Sequence, residues 1–487
     1  MKVAFDHEKY LTIQKEKIEE RINMFDNKLY LEFGGKLFDD LHASRVLPGF
    51  KPDAKIQMLR KFKDDLEVIF CINANDIEKN KIRADYGISY EQDLLRLIEK
   101  MQEMDILVNG VTINMYAGQK GVDKLIKELN KKQIKSYLFE PIEGYPNDTN
   151  TIFSENGFGR NPYIPTTKKL VVVTAPGPNS GKLATCLSQL YHEHKNGTKA
   201  GYAKYETFPV WDIGLLHPVN IAYEAATADL GDINMIDPFH LQNYNIEAVN
   251  YNRDISTFPI LKNMLEQIMG EDIYHSPTDM GVNMIKQGII DEEEVKKAGC
   301  QEVIRRYYSI MCHRKKGLYS PQIENRIVEL MTKLNLKKED REIVEPTLAK
   351  AEKERTNVVA IQLENGKIIT GKESKLLSAS SAMLINTLKE LSNIPDEEYL
   401  LSPHVLEDIF KMKQKISYRN NYCLNLQEVL ITLSICTSNN KSVDKAMEQL
   451  GKLTGLEAHS SYIITSEENN VMKNLGIRLT CEPKFDN

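Results

Sequence analysis

The sequence predicts an α/β protein: a mostly parallel sheet with a phosphate-loop-like turn, followed by a helical region and a smaller C-terminal α+β domain. Three observations carry this. Short apolar runs alternate with amphipathic stretches over the first 205 residues, the pattern of strands joined by crossover helices. One run, Leu170-Val171-Val172-Val173, is apolar on both faces, as a buried parallel strand is, and leads into a Gly/Pro turn that closes with Gly181-Lys182. Beyond residue 355 the rhythm changes, and Asn365-Gly366 stands between two apolar runs, the strongest short hairpin signal.

In the first domain, residues 1–260, the candidate strands are Leu29–Phe33, Glu67–Ile72, Val111–Tyr116, Ile134–Phe139, Leu170–Thr174 and Ala200–Tyr205. Helical patterns lie near Pro52–Lys63, Tyr90–Glu103, Gly121–Lys131 and Lys182–His194. Gly144–Thr167, rich in Asn, Gly, Pro and Thr, reads as a long loop, and loops of that length are usually functional or mobile. Residues 207–260 read as irregular polar chain. Residues 261–355 read as a helical domain, with Ile304, Tyr307, Tyr308 and Met311 on one face and Ile323, Ile327, Leu330 and Leu334 on another. It ends in the charged run 350–355. The C-terminal domain, residues 356–487, opens with a hairpin, Val358–Leu363 and Lys367–Thr370. Helices follow near Ala379–Leu391, Val405–Lys413, Leu426–Ile435 and Val443–Leu453, and strands near Ser461–Thr465 and Ile477–Thr480 close the chain.

The chain has 487 residues, 41% hydrophobic and 27% charged, with a net charge of −6. That balance suffices for sizeable cores. An acidic chain gains no counterion-release energy from nucleic acid or an anionic membrane, so neither is an expected partner, although a local basic groove stays open. The first residues carry no signal-peptide core, and no apolar run reaches the roughly 18 residues of a membrane span. The seven cysteines, Cys71, Cys186, Cys300, Cys312, Cys423, Cys436 and Cys481, include no C-x-x-C pair, which points to reduced thiols in a cytoplasmic protein.

The segment from Thr174 to Thr185 carries the most chemistry. Backbone N–H groups of a turn that opens a helix converge on one point and favour an anion there. Glycine lets the backbone come close, and a lysine at the helix start adds a point charge for terminal phosphates. Gly177, Asn179, Ser180, Gly181, Lys182 and Thr185 are therefore the candidate cofactor-binding residues, with ATP as cofactor and Mg²⁺ as its metal. The segment departs from G-x-x-x-x-G-K-[ST]: Pro176 stands at the first glycine position and Leu183 at that of the magnesium-binding hydroxyl. A tight strand-to-helix turn with an ordinary surface lysine is the alternative, but strand, turn and helix together favour an anion. The next strand ends in Lys204-Tyr205-Glu206-Thr207-Phe208-Pro209. This strand, turn, helix and strand together resemble the biotin-precursor synthetase group of phosphate-loop enzymes, where a Gly-Tyr-Lys-Pro-like strand end sits beside the phosphates. The resemblance implies Lys204 as a second cation; a surface Lys-Glu strand end is the alternative.

Further polar clusters surround this motif in sequence. From His217 to His240 the chain is dense in acids, histidines and asparagines. Asn220, Tyr223, Glu224 and Thr227 share a helical face at spacings of three or four, with Asp229 off that face. Here His217, Asn220, Tyr223 and His240 are candidate substrate ligands. Glu224 and Asp229 join Lys182 and Lys204 as candidate catalytic residues, and Asp229, Asp237 or Glu206 would hold the metal. A capped helix with internally satisfied polar groups is the alternative. Glu32-Phe33-Gly34-Gly35-Lys36 ends the first strand, where ligands bind in parallel sheets, and Asp39, His42 and Arg45 follow; Lys36, His42 and Arg45 are candidate substrate ligands. The second strand ends in Cys71-Ile72-Asn73-Ala74-Asn75-Asp76, with Arg83 and Asp85 beyond. His192-Glu193-His194 is not a zinc-hydrolase motif, since histidines two apart point about 200° apart on a helix. Glu457-Ala458-His459-Ser460-Ser461 fits packing or an oligomer contact.

Several of these stretches occur together in one family: Leu31 to Lys36 with His42 to Phe50, Thr174 to His240, Ser276-Pro277-Thr278-Asp279-Met280-Gly281-Val282-Asn283, and Glu457 to Ser461. In them the chain resembles the bacterial uncharacterised protein family 0371 over nearly its whole length. The resemblance implies a cytosolic homo-oligomer with an N-terminal α/β part, a helical part and a C-terminal α/β part. It supplies no catalytic residues to carry over. The leading functional expectation is a nucleotide-dependent enzyme of synthetase or kinase type acting on a small-molecule substrate. The alternatives are a non-catalytic sensor of a nucleotide or anion, and an enzyme acting on a phosphorylated metabolite.

Overall fold

A computed structural model describes residues 2–38, 40–83, 87–416 and 423–486. The chain forms two compact units. One comprises Lys2–Glu224 and Leu230–Gly299; the other comprises Ala225–Asp229 and the chain from Cys300 onward.

The first unit is built on seven parallel strands. They are β1 (Leu29–Phe33), β2 (Leu66–Asn73), β3 (Leu107–Asn114), β4 (Lys135–Phe139), β5 (Leu170–Thr174), β6 (Gly201–Tyr205) and, after the hairpin β7 (Asn234–Ile236) and β8 (Val249–Tyr251), the short β9 (Gly281–Val282). The sheet order is β4-β3-β2-β5-β1-β6-β9, and every adjacent pair is parallel. The run Leu170 to Thr174 is wholly buried and lies between β1 and β2, as its two-faced apolar character requires. From β2 the chain winds outward through β3 to β4, and from β5 it winds the other way to β6 and β9. The winding thus reverses between β2 and β5, and such a switch point opens a crevice at the carboxyl ends of the strands.

Strand and helix positions follow the sequence pattern closely at β1, β5 and the helix Tyr90–Glu103, whose Ser89 forms a capping box with Gln92. Elsewhere in this unit the structure departs from the expectation. The helix His7–Asn23 is an addition; its mean polarity hides a buried stripe of Tyr10, Leu11, Gln14, Ile18 and Ile22. The third strand starts at Leu107, four residues before the expected Val111, and ends at Asn114 because Met115 takes a positive φ of 58°. The segment expected to be irregular, 207–260, instead holds the helices Pro218–Ala226 and Pro238–Tyr244, the β7–β8 hairpin, and much of the helix Asn252–Met269, which runs through Pro259.

The second unit carries a smaller sheet of β10 (Val358–Gln362), β11 (Ile368–Lys372), β12 (Glu457–Ser460) and β13 (Arg478–Cys481), in the order β11-β10-β12-β13. β10 is antiparallel to β11 and β12, and β12 is parallel to β13. The hairpin turns at Asn365-Gly366, with Gly366 at φ 83°. Val359, Ile361, Met383, Leu384, Leu388, Val429 and Leu433 share its core. The strand expected at Ser461–Thr465 lies earlier, at Glu457–Ser460. There the fully buried His459 bonds Thr480 on the neighbouring strand (Nδ1 to Oγ1, 2.8 Å), so a polar segment serves as a core strand.

This unit also buries a charge network. Arg341 is 1% exposed and donates to Glu457 Oε2 (2.5 Å), Thr480 Oγ1 (3.0 Å), Ala458 O (3.0 Å) and Arg478 O (2.7 Å). Arg305 bonds Glu302 at 2.7 Å and Glu457 at 3.0 Å. Burial works against charge on Glu457, but Arg305, Arg341 and Arg478 outweigh it and hold the carboxyl below its ordinary range.

Candidate functional site

The turn Ala175–Gly181 leaves β5 at the switch point and feeds the helix Lys182–Lys195. Gly181 precedes the helix at φ 86°, and a Cβ there would stand 2.5 Å from Asn114 Cγ. At Gly177 a Cβ would meet the Tyr90 ring at 2.6 Å. Both positions therefore require glycine, for backbone conformation or close approach. Among the described residues no side chain caps this helix, so its first N–H groups stay available at the positive end of the helix dipole.

Side chains from neighbouring strands fix the turn through its carbonyls. Asn73, at the end of β2, donates to Asn179 O (3.1 Å), and Asn114, at the end of β3, donates to Ser180 O (2.9 Å). Arg83 donates to Pro176 O at 3.3 Å and pairs with the buried Asp93. Ser180 Oγ donates to Gly177 O (2.6 Å), closing the turn on itself. Thr185 is fully buried. Its hydroxyl lies 3.2 Å from Thr112 Oγ1 and 3.4 Å from Cys71 Sγ, so it braces the turn from the sheet side. Burial pushes the Cys71 thiol up to about 11, and the Thr112 and Thr185 hydroxyls offset this only in part.

Beside the turn lies a charged cluster. Glu32 on β1 and Lys204 on β6 are register partners, so both side chains emerge on one face of the sheet. Lys182 Nζ stands 4.0 Å from Glu32 Oε1, and Glu32 Oε2 accepts from Tyr202 OH at 2.8 Å. Lys204 Nζ lies 2.5 Å from Asp254 Oδ2 and 2.7 Å from Glu206 Oε1. Burial works against the charge of Lys204, but Asp254, Glu206 and Glu32 outweigh it and raise its pKa well above the ordinary value. Burial raises that of Glu206, with Lys204 opposing.

The other sequence candidates separate into distinct places. His42 and Tyr223 meet: the His42 ring is 5.3 Å from both Phe208 and Tyr223, which stack on each other at 4.9 Å. Lys36 is exposed in the segment after β1, and Arg45 lies in the last turn of the helix Leu41–Val46. Asn220 is fully buried and spends its amide on the backbone, accepting from Val210 N (2.8 Å) and donating to Val210 O (3.1 Å). Glu224 is buried and accepts from Asn234 N at 3.3 Å. His217 pairs with Glu292 at 2.9 Å; burial lowers its pKa, and Glu292 opposes this. Asp237 is fully buried. It caps the helix Pro238–Tyr244 through Oδ1, while Oδ2 accepts from Thr278 Oγ1 at 2.6 Å. His240 bonds Ser276 Oγ at 3.0 Å. Asp229 groups with the second unit, where it and Tyr319, Arg306 and Ser309 line a small pocket. Asp39 and Asp85 lie outside the described residues. Among the described residues, no three His, Cys, Asp or Glu side chains converge as a metal site, and no helix is long and apolar enough to cross a membrane.

Sequence reasoning assigned no role to Glu32, Tyr202 or Asp254 at the cluster, nor to Asn73 and Asn114 beneath the turn. Glu32 and Lys204 carried a signal, since each is a charged residue inside an otherwise apolar strand. Asp254 carried none: it arrives from the start of a helix 50 residues beyond Lys204.

Two family models match the chain: a domain of unknown function, DUF1846, N-terminal, over residues 3–335, and the corresponding C-terminal domain over residues 339–487. The chain belongs to this family. Among curated proteins it is similar to the UPF0371 protein of Clostridium tetani (strain Massachusetts / E88), 52% identical with 100% of this chain and 98% of that protein covered. It is likewise similar to UPF0371 proteins of Clostridium botulinum, 51% identical in strain Langeland and 50% in strain Alaska E43, at the same coverage. The expected family membership is thereby shown, along its whole length.

Proposed function

We propose that this protein is a phosphate-binding enzyme of synthetase or kinase type, with ATP phosphates in the turn Gly177–Lys182. The observation that supports this is the uncapped helix start behind Gly181, at the switch point of a parallel sheet, with Lys182 as its first helical residue. Helix N–H groups and a lysine ammonium there would stabilise charge on a transferring phosphoryl group. Lys204 would add positive charge, and His42 with Tyr223 would line the place of the small-molecule substrate. Magnesium would arrive with the phosphates and keep much of its water, with Glu32 beside Lys182 and Glu206 and Asp254 beside Lys204 as the acids of the cluster, in place of Asp229 and Asp237. A cytoplasmic homo-oligomer is part of the same proposal. Calorimetric titration with ATP, with and without Mg²⁺, tests it: Lys182→Ala weakens binding about tenfold or more, whereas equal binding by the variant removes the phosphate assignment.

One observation favours a second reading. Leu183 replaces the usual hydroxyl, and Thr185 is buried beneath the turn, so neither offers a magnesium ligand. The turn would then hold the substrate's own phosphate. Binding of sugar phosphates in preference to ATP would select this reading.

A further inference from the structure

We infer that Glu32 is a built-in counter-ion that competes with the incoming phosphate for Lys182 and so holds down the affinity of the turn for anions. The inference rests on the phosphate reading of the turn and deepens it. Lys182 and Glu32 keep only 16% and 11% of their side chains exposed, so water screens their interaction weakly. The carboxylate is not free to swing aside, because Oε2 is tied to the fully buried Tyr202, itself held by a backbone bond to Tyr274 OH. The second lysine offers no relief, since Lys204 is already clasped by Glu206 and Asp254. The cluster thus sets three carboxylates against two ammonium groups, one negative charge in excess at a place proposed for an anion. An anion entering the turn meets this excess and must draw Lys182 away from Glu32. Every anion that uses Lys182 bears the cost of this exchange, and loss of the Glu32 charge lifts it.

The experiment measures binding of inorganic pyrophosphate and inorganic phosphate by calorimetry, on wild type, Glu32→Gln, Lys182→Met and the double variant. Glu32→Gln should tighten both ligands about tenfold, and pyrophosphate at least as much as phosphate, because the repulsion it removes grows with ligand charge. In the Lys182→Met background the same change should have less than a threefold effect, because the competition runs through that lysine. A purely structural role for Glu32 would not depend on Lys182 in this way. Glu32→Asp keeps the charge and shortens its reach, and should give an intermediate gain if Glu32→Gln fails to fold. If Glu32→Gln leaves affinity unchanged or weaker while Lys182→Met still abolishes binding, the counter-ion role falls and the phosphate site stands. If Lys182→Met binds as wild type does, or if no variant binds, the phosphate site falls and the counter-ion role with it.

Discussion

In the parallel-sheet unit, Lys182 and Lys204 keep 16% and 24% of their side chains exposed beside Glu32, Glu206 and Asp254. In the C-terminal unit, Arg341 and Arg305 keep 1% and 8% beside Glu457 and Glu302. The two clusters use similar charges for different ends. Arg341 spends its donors on a carboxylate, a hydroxyl and two backbone carbonyls, and its planar fork suits that fixed geometry. Such a network holds strands in register and is largely closed to water. Lys182 is a point charge on a flexible stem at a helix start that water reaches, 4.0 Å from Glu32, so its partner can be exchanged for a ligand. Burial separates a structural ion cluster from a candidate binding cluster more sharply than charge count does.

The largest effect expected from breaking this contrast is on stability. Arg341→Met removes one donor each from Glu457, Thr480 Oγ1, Ala458 O and Arg478 O, and should cost about 3–5 kcal/mol. The loss should appear in far-ultraviolet circular dichroism melts before it appears in the fluorescence of Trp211, the chain's single tryptophan, which lies in the other unit. Gly181→Ala forces a side chain onto a φ of 86° and against Asn114. It should cost about 1–3 kcal/mol, here with Trp211 reporting the change, together with the loss of ATP binding.

Lys182→Ala should reverse that balance. A tenfold weakening of ATP, about 1.4 kcal/mol, should come with a shift in stability under about 1 kcal/mol; a large stability loss without any change in binding would make the lysine structural. Gly366→Ala isolates the backbone cost of the hairpin, because nothing lies within 4 Å of the added Cβ, and should cost about 1 kcal/mol in a urea titration. The smallest effect is a slope with pH. Burial lowers the pKa of His459 from its ordinary value, with the Glu482 carboxylate 3.5 Å away opposing. Its contribution to stability is therefore whole above pH 6.5, and it is lost as pH falls from there through the folded value, since the unfolded chain takes up the proton first. Circular dichroism melts between pH 7.5 and 5, compared with those of His459→Phe, should show a shallower fall for the variant.

The sequence by itself determined the α/β class, the central place of Leu170 to Thr174, the Asn365-Gly366 hairpin and the family. Each rests on local pattern: strands buried on both faces are continuously apolar, and a turn with positive φ selects glycine. It also located the turn before Lys182, because Gly, Pro and Lys mark a strand-to-helix junction by their own chemistry. Contacts distant in sequence were decided only by the tertiary structure. Asn220 and Asp237 looked like ligands because their polarity is visible in sequence, while the backbone groups that satisfy them are not. Thr185 sits near the turn in sequence yet faces Cys71 and Thr112 beneath it, since helix phase sets its direction. Glu32 and Lys204 became neighbours through strand order, and Asp254 through the docking of a helix start. A site of this kind is an agreement among strand ends, and only the order of strands in the sheet says which ends meet.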